Sequence, residues 1–176
     1  NMKDWLVVGP TLLSGIGQVT KRYADLVDAE YVPIGSAPSQ ARYKNGFAFV
    51  LPIATQLEMI DRYMALCDHT IYMTVCETEP VNPAYGMLVK YGTVYCPSEF
   101  ARQILEKQFP TATWKLLRHY APGRPLCEPA ATAPYTFYTI GNVLDPRKNI
   151  QGLVQAFQAC NFGTAARLVL KATCIQ

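Results

Sequence analysis

The sequence has no long apolar run, no Cys-x-x-Cys pair and only two histidines. A membrane-spanning helix needs about twenty consecutive apolar residues, and no stretch of the chain approaches that length. His69 and His119 have no metal-ligand spacing relative to the six scattered cysteines. These absences argue against a membrane span and a zinc site, and they favour reduced thiols in a cytoplasmic protein.

Charged residues are also few, at 16% of the chain, whereas 50% of the residues are hydrophobic. The net charge is +3, and no run of Lys or Arg exceeds two residues. Neither a nucleic-acid surface nor a membrane surface is therefore indicated. A chain of 176 residues with this composition is long enough for one folded domain and part of a second.

Short β-rich runs alternate with helical spacing, which predicts parallel α/β sheets. The predicted strands of the first part lie at residues 5–8, 30–34, 47–51, 69–75, 93–96 and 114–118. The predicted inward faces of three intervening helices are Val19, Tyr23 and Leu26; Leu57, Ile60 and Met64; and Phe100, Ile104 and Leu105. Ser98 is predicted to cap the third of these helices. Residues 35–45 are predicted to form a long loop, of a kind that is often functional or mobile.

A loop with two glycines, Gly15 and Gly17, follows the first predicted strand. Glycine there lets a backbone N–H approach a ligand closely, and the alternative is a tight strand-to-helix turn. The loop is incomplete as a dinucleotide-binding fingerprint, because a third glycine and a suitably placed acidic residue are missing.

Two carboxylates, Glu77 and Glu79, follow the fourth predicted strand. Open α/β sheets bind their ligands at the carboxyl ends of strands, so one of the two could act as a base or bind sugar hydroxyls. The alternative is a pair of loop charges next to a turn at Pro80.

A pair of cations opens the helix predicted after the β-rich run at residues 135–140. Asp145 is predicted as the helix N-cap and Pro146 as the first helical residue, which puts Arg147 and Lys148 in the first turn. The helix N-terminus is already positive, so two cations there suggest an arriving anion such as phosphate. The alternative is two solvated surface cations.

The domain boundary is predicted at residues 126–134, which are rich in Ala and Pro and have no periodicity. Residues 2–125 then form an N-terminal Rossmann-like domain of six strands. Residues 135–176 supply only a strand, a helix and a last strand at 166–172, which cannot bury both faces of a sheet. This second part is expected to be a truncated domain, and the alternatives are docking on the first domain or self-association.

Several segments resemble those of retaining glycosyltransferases with the two-domain GT-B fold, family 4-like, group 1. They read SGIG at 14–17, ETEP at 77–80, CPSEF at 96–100, APG at 121–123, YTIG at 138–141, DPRKNI at 145–150 and LVQAF at 153–157. The resemblance covers most of the chain, and its specificity comes from the order and spacing of these segments. It implies an acceptor-side domain followed by the first β-α-β of a nucleotide-sugar-side domain.

The resemblance also implies a function, the metal-independent transfer of a hexosyl group from a nucleotide-diphosphate sugar to an acceptor, without a cofactor. Lys148, Arg147 and Asn142 would contact the donor diphosphate. The glycine loop would lie near the phosphates or the acceptor, and Glu77 or Glu79 would lie on the acceptor side.

Two departures from the family pattern stand out. Many members have Gly-Arg where this chain has Gly141-Asn142, so that a phosphate cation is missing or is replaced by Arg147. The family's spaced glutamates belong later in the second domain, so the isolated chain is expected to be inactive.

An alternative is a non-catalytic glycosyltransferase-like module for binding or scaffolding. A nucleotide-dependent oxidoreductase or synthetase would need a full glycine fingerprint or a P-loop, which the sequence lacks.

Overall fold

The computed structural model of the chain describes residues 2–121, 123 and 134–172. The chain divides into two compact units, Asn1–Pro122 and Gly123–Gln176. The first contains a six-stranded sheet and the second a two-stranded one. The linker predicted at 126–134 lies outside the described residues except for Pro134.

The first unit alternates strands and helices along its whole described length. Its elements are β1 (Trp5–Gly9), α1 (Gly15–Leu26), β2 (Glu30–Pro33), β3 (Tyr43–Phe49), α2 (Ala54–Met64), β4 (Cys67–Met73), a 3-10 helix (Pro83–Tyr91), β5 (Thr93–Cys96), α3 (Glu99–Gln108) and β6 (Thr113–Leu116).

The six strands are all parallel and lie in the order β2-β1-β3-β4-β5-β6. The chain runs from β1 outward to β2, and then returns past β1 to continue in the other direction from β3. The boundary between β1 and β3 is therefore a topological switch point, where such sheets open a crevice at their carboxyl ends. The predicted Rossmann-like parallel α/β class is confirmed for this unit.

Two apolar clusters bury the two faces of this sheet. Val7 belongs to the cluster that includes Ala24 of α1, and Val8 to the cluster that includes Ile60 of α2. Neighbouring residues fall in different clusters because successive side chains of a strand point to opposite faces. Each fully buried Leu, Ile or Phe contributes about 1.5–3 kcal/mol through removal from water, so these clusters hold the first unit together.

The start of β3 differs from the prediction. The strand begins at Tyr43 rather than at residue 47, so the preceding loop is shorter than expected. Glu30 anchors this loop, since its carboxylate accepts hydrogen bonds from the Ser39 N–H at 2.6 Å and from the Tyr43 hydroxyl at 2.5 Å.

The buried face of α1 also differs from the prediction. Gly17, Thr20 and Ala24 face the sheet, whereas Leu26 is 51% exposed. The reason is close approach, because a Cβ on Gly9 of β1 would lie 2.7 Å from Cγ2 of Thr20. Only small side chains fit between a helix and a strand at that separation.

The buried faces of the other two helices, α2 and α3, match the prediction more closely. The predicted residues of α2, which are Leu57, Ile60 and Met64, are all buried. In α3, Ile104 and Leu105 are buried as predicted, but Phe100 is 48% exposed and Ala101 takes the inward position.

The second unit is a single parallel β-α-β arrangement. It comprises β7 (Tyr135–Gly141), a 3-10 turn (Pro146–Lys148), α4 (Ile150–Ala159) and β8 (Ala166–Ala172). Rings of Phe137, Phe157 and Phe162 pack together at centroid distances of 5.4–5.7 Å, which joins β7 to α4 and to the loop that follows it. The bounds of β8 are those predicted from the sequence.

The helix of the second unit starts later than predicted. Pro146 begins a 3-10 turn, and α4 itself starts at Ile150 with Asn149 as its N-cap. Asn149 has left-handed backbone angles, φ 44° and ψ 42°, which interrupt the helix between the turn and α4. Arg147 and Lys148 therefore precede α4 instead of forming its first turn.

Candidate functional site

The segment predicted as a glycine loop follows the carboxyl end of β1, on one side of the switch point. Contrary to the prediction, α1 starts at Gly15, so Gly15 and Gly17 lie in its first turn and the loop itself ends at Ser14. Ser14 caps α1, because its hydroxyl accepts a hydrogen bond from the Gly17 N–H at 2.9 Å and donates one to the Thr11 carbonyl at 3.0 Å. The backbone N–H groups of Gly15 and Ile16 make no hydrogen bond within the described residues. They are the groups that an anionic ligand would meet at this end of α1.

The two glycines of this first turn meet different surroundings. A Cβ on Gly17 would lie 2.0 Å from the Thr11 carbonyl oxygen, whereas a Cβ on Gly15 would meet nothing within 4 Å. Gly17 is thus required by the packing of the loop against its own backbone. Gly15 has open space beside it, so it is the glycine of the two that leaves room for a ligand.

Glu77 and Glu79, which follow β4, have different surroundings. Glu77 is exposed and makes no hydrogen bond or ion pair with another described residue. Glu79 pairs with Lys107 at 3.5 Å, and Lys107 lies in the last turn of α3. Because α3 starts after the carboxyl end of β5 and runs back along the sheet, this pair lies toward the opposite edge. Of the two, Glu77 is the better candidate for a ligand at the carboxyl edge.

In the second unit, the Asp145 carboxylate pairs with Arg147, one of the two cations predicted to bind the donor diphosphate. Asp145 accepts hydrogen bonds from the Arg147 N–H at 3.0 Å, from Nε at 3.1 Å and from Nη2 at 2.8 Å. The Arg147 side chain holds the pKa of Asp145 below its ordinary value, with a smaller contribution from Lys148. An incoming phosphate would have to compete with Asp145 for Arg147.

Lys148 and Asn142 complete the set predicted for the donor. The Asn142 side-chain oxygen accepts the Leu144 N–H at 3.0 Å, so it stabilises the turn after β7. Lys148 is exposed, and its stem lies beside Gly141, where a Cβ would be 3.7 Å from the lysine Cγ. The Ile150 and Gln151 N–H groups make no hydrogen bond within the described residues. A cation and open helix N–H groups thus lie close together along the chain at the carboxyl end of β7.

Sequence reasoning missed the two residues that cap α1 and α4, Ser14 and Asn149. The signal was present in both cases, since Ser and Asn are preferred N-caps and each directly precedes the first helical residue. Asn149 accepts the Gly152 N–H at 3.3 Å and caps α4. Asp145 caps the turn that starts at Pro146, as predicted, but that turn is a separate 3-10 turn.

The cysteines show no sign of a reactive thiol in the first unit. Four described cysteines are free, namely Cys67, Cys76, Cys96 and Cys160. Burial raises the pKa of Cys67 to about 11 and that of Cys96 to about 12, so both remain protonated at neutral pH. Cys160 is exposed, and Cys127 and Cys174 lie outside the described residues.

Among the described residues, no helix combines the length and apolar character needed to cross a membrane. Within the same part of the chain, no three His, Cys, Asp or Glu side chains gather where they could bind a metal ion.

No protein-family model matches the chain, and neither does any curated protein or solved structure. The GT-B resemblance is therefore a hypothesis supported by the segments that suggested it.

Proposed function

We propose that the protein transfers a hexosyl group from a nucleotide-diphosphate sugar to an acceptor, as a metal-independent retaining glycosyltransferase of the GT-B type. The first unit would serve as the acceptor-side domain and the second as the start of the nucleotide-sugar-side domain. We expect it to act in the cytoplasm, with its thiols reduced.

The observation that carries the proposal is the position of Lys148. This exposed cation follows the carboxyl end of β7 and precedes the open N–H groups of α4. A departing nucleoside diphosphate gains negative charge, and a fixed cation beside helix N–H groups would stabilise that charge without a metal. Arg147 would add a second cation once Asp145 releases it.

On the acceptor side, the proposal assigns roles to the carboxyl edge of the first unit. The open space beside Gly15 would admit the acceptor or the donor phosphates. Glu77, which has no hydrogen-bond or ion-pair partner in the described structure, would accept a hydrogen bond from an acceptor hydroxyl. Glu79 would have to leave Lys107 to do the same, so Glu77 is the first residue to test.

Calorimetric titration with UDP and GDP tests the donor role. Replacing Lys148→Ala should weaken diphosphate binding about tenfold, since a hydrogen bond to a charged group contributes about 1.5–3 kcal/mol and part of this is screened at an exposed site. Asp145→Asn should strengthen binding, because it removes a negative charge beside Arg147. Arg167→Ala is the control. It also removes one positive charge, but Arg167 lies near the amino end of β8, whereas Lys148 follows the carboxyl end of β7. Equal affinities of the wild type and Lys148→Ala would contradict the donor role.

One contact favours the alternative of a non-catalytic binding or scaffold module. Asp145 already neutralises Arg147, which a donor site would need as a cation. If the wild-type chain binds UDP or GDP no better than Lys148→Ala does, this alternative is favoured. The self-association predicted from the sequence would use β7, where Tyr138 and Ile140 are 57% and 53% exposed. Sedimentation of the chain at increasing concentration tests this self-association.

A further inference from the structure

A cavity of about 410 Å³, wide open to solvent, lies on the α2 side of the first unit's sheet, and no residue from Thr11 to Gly17 lines it. It is lined by Asp61, Met64, Ala65, Thr70, Tyr72, Lys90 and Tyr91. Asp61 and Met64 lie toward the C-terminal end of α2, and Tyr91 ends the 3-10 helix that leads to β5. Both helices run from the carboxyl edge of the sheet back toward its amino edge. The cavity is therefore separate from the site proposed above.

The two charges of the cavity neutralise each other. Lys90 Nζ lies 2.5 Å from Asp61 Oδ2, and the Tyr91 hydroxyl donates to Asp61 Oδ1 at 2.9 Å. Lys90 also lies over the Tyr91 ring, 5.0 Å from its centroid. The cavity has no net charge, which removes any strong attraction for an anion or a cation.

Hydrogen-bonding capacity nevertheless remains. A lysine ammonium has three N–H donors, and one is directed at Asp61. Thr70 is exposed and adds a hydroxyl that can donate and accept. The cavity therefore offers both donors and acceptors to a ligand that carries several polar groups of its own.

An aromatic pair forms one side of the same cavity. The rings of Tyr72 and Tyr91 stack with centroids 4.0 Å apart and an interplanar angle of 19°. Met64 and Ala65 of α2 add apolar surface beside them. A ligand that fits has polar edges for Lys90 and Thr70 and an apolar face for these side chains.

We propose that this cavity binds a neutral saccharide, whose hydroxyls hydrogen-bond to Lys90 and Thr70 while its C–H face lies against Tyr72. A pyranose combines hydroxyl edges with apolar C–H faces and has no charge, which is the combination that the cavity complements. A purely apolar ligand would leave the other two N–H groups of Lys90 without hydrogen-bond partners, and a charged ligand would meet no net opposite charge. The inference does not depend on the donor role of Lys148.

An NMR titration of the ¹⁵N-labelled chain with maltotriose tests the proposal. Saturable shifts are expected at the amides of Thr70, Lys90 and Tyr91. Lys90→Met should weaken binding about tenfold, and Thr70→Val should weaken it about threefold, in line with the loss of one hydrogen bond each. Lys107→Met is the matched control, because it removes another exposed, ion-paired lysine outside the cavity, and it should leave the affinity unchanged.

Three results would overturn the proposal. The first is the absence of saturable shifts at these amides. The second is an equal loss of affinity in Lys90→Met and Lys107→Met. The third is tighter binding of glucose 6-phosphate than of maltotriose at the same amides, which would mark the cavity as an anion site. Unchanged spectra outside the cavity in each variant show that the fold is intact.

Discussion

The hydroxyl of Tyr23 donates a hydrogen bond of 3.0 Å to the backbone carbonyl of Arg118, which lies 95 residues later in the chain. The same hydroxyl lies 3.4 Å from Nδ1 of His119. The Tyr23 ring packs on Phe47 of β3, with their centroids 5.1 Å apart. Through this one side chain, α1 holds the segment that follows β6 against the rest of the first unit.

Removing that hydroxyl should loosen the segment. Tyr23→Phe keeps the ring on Phe47 but leaves the Arg118 carbonyl without this donor, so we expect a loss of about 1 kcal/mol in the free energy of unfolding. Urea denaturation measures the loss, and hydrogen exchange should be faster at residues 118–121. Tyr138→Phe, at an exposed tyrosine of β7, is the control and should change neither quantity.

The anchor at Glu30 predicts a pH dependence. Partial burial would by itself raise the pKa of Glu30, but hydrogen bonds from the Ser39 hydroxyl, the Tyr43 hydroxyl and the Ser39 N–H together lower it. A carboxyl group whose pKa is lower in the folded state adds stability above its unfolded pKa of about 4.5. That stability is lost as the pH falls through the folded value.

Replacing Glu30→Gln should remove this dependence. At neutral pH the variant should be less stable than the wild type by about 1 kcal/mol, a value reduced for the partial exposure of the site. As the pH falls through the folded pKa of Glu30 the two proteins should converge, which urea denaturation at a series of pH values would show. A difference that stays constant from pH 7 to pH 3 would mean that the Glu30 carboxylate is not the anchor.

Local signals explain what the sequence could predict about the fold. Ser98 was expected to cap α3, and its hydroxyl accepts the Ala101 N–H at 3.1 Å. Capping depends on residues within one helical turn, so it can be read without knowing the rest of the structure. The same holds for β8, whose bounds were predicted from an apolar run that follows Gly163.

The start of β3 could not be predicted in this way. The residues around Tyr43 are polar, but Tyr43 itself is buried in the apolar core, with its hydroxyl bonded to Glu30, which is 13 positions earlier. The buried face of α1 depends likewise on the close approach of Gly9 to Thr20. Both features arise from contacts between elements, which spacing along one segment does not reveal.

The candidate site likewise has features that the sequence predicted and one contact that it did not. The sequence placed Gly15, Gly17 and Glu77 in loops that follow β1 and β4. The structure has Glu77 in a loop, but Gly15 and Gly17 lie in the first turn of α1, which starts earlier than predicted. It did not reveal that Asp145 binds Arg147, because that contact depends on the 3-10 turn and on the left-handed conformation of Asn149. The roles assigned to these residues remain predictions.

Two buried threonines of the first unit offer a matched comparison. Thr20 and Thr74 are both fully buried, and the Thr20 hydroxyl donates to the Ile16 carbonyl at 2.8 Å. The Thr74 hydroxyl has no hydrogen-bond partner among the described residues. Thr20→Val should therefore cost about 1 kcal/mol, whereas Thr74→Val should stabilise the protein by about 1 kcal/mol. Urea denaturation of both variants measures the sign, and a destabilised Thr74→Val would show that its hydroxyl has a partner, such as a buried water.

The two glycines in the first turn of α1 should respond in opposite ways to the addition of one methyl group. Gly17→Ala would bring its Cβ to 2.0 Å from the Thr11 carbonyl oxygen, which is backbone and cannot turn aside, so we expect a loss of about 3 kcal/mol or more. Gly15→Ala meets open space at the start of α1 and should be neutral or stabilising by up to about 1 kcal/mol. Thermal unfolding distinguishes the two. If the space beside Gly15 admits a ligand, the same Gly15→Ala chain should remain fully folded while its affinity for that ligand falls.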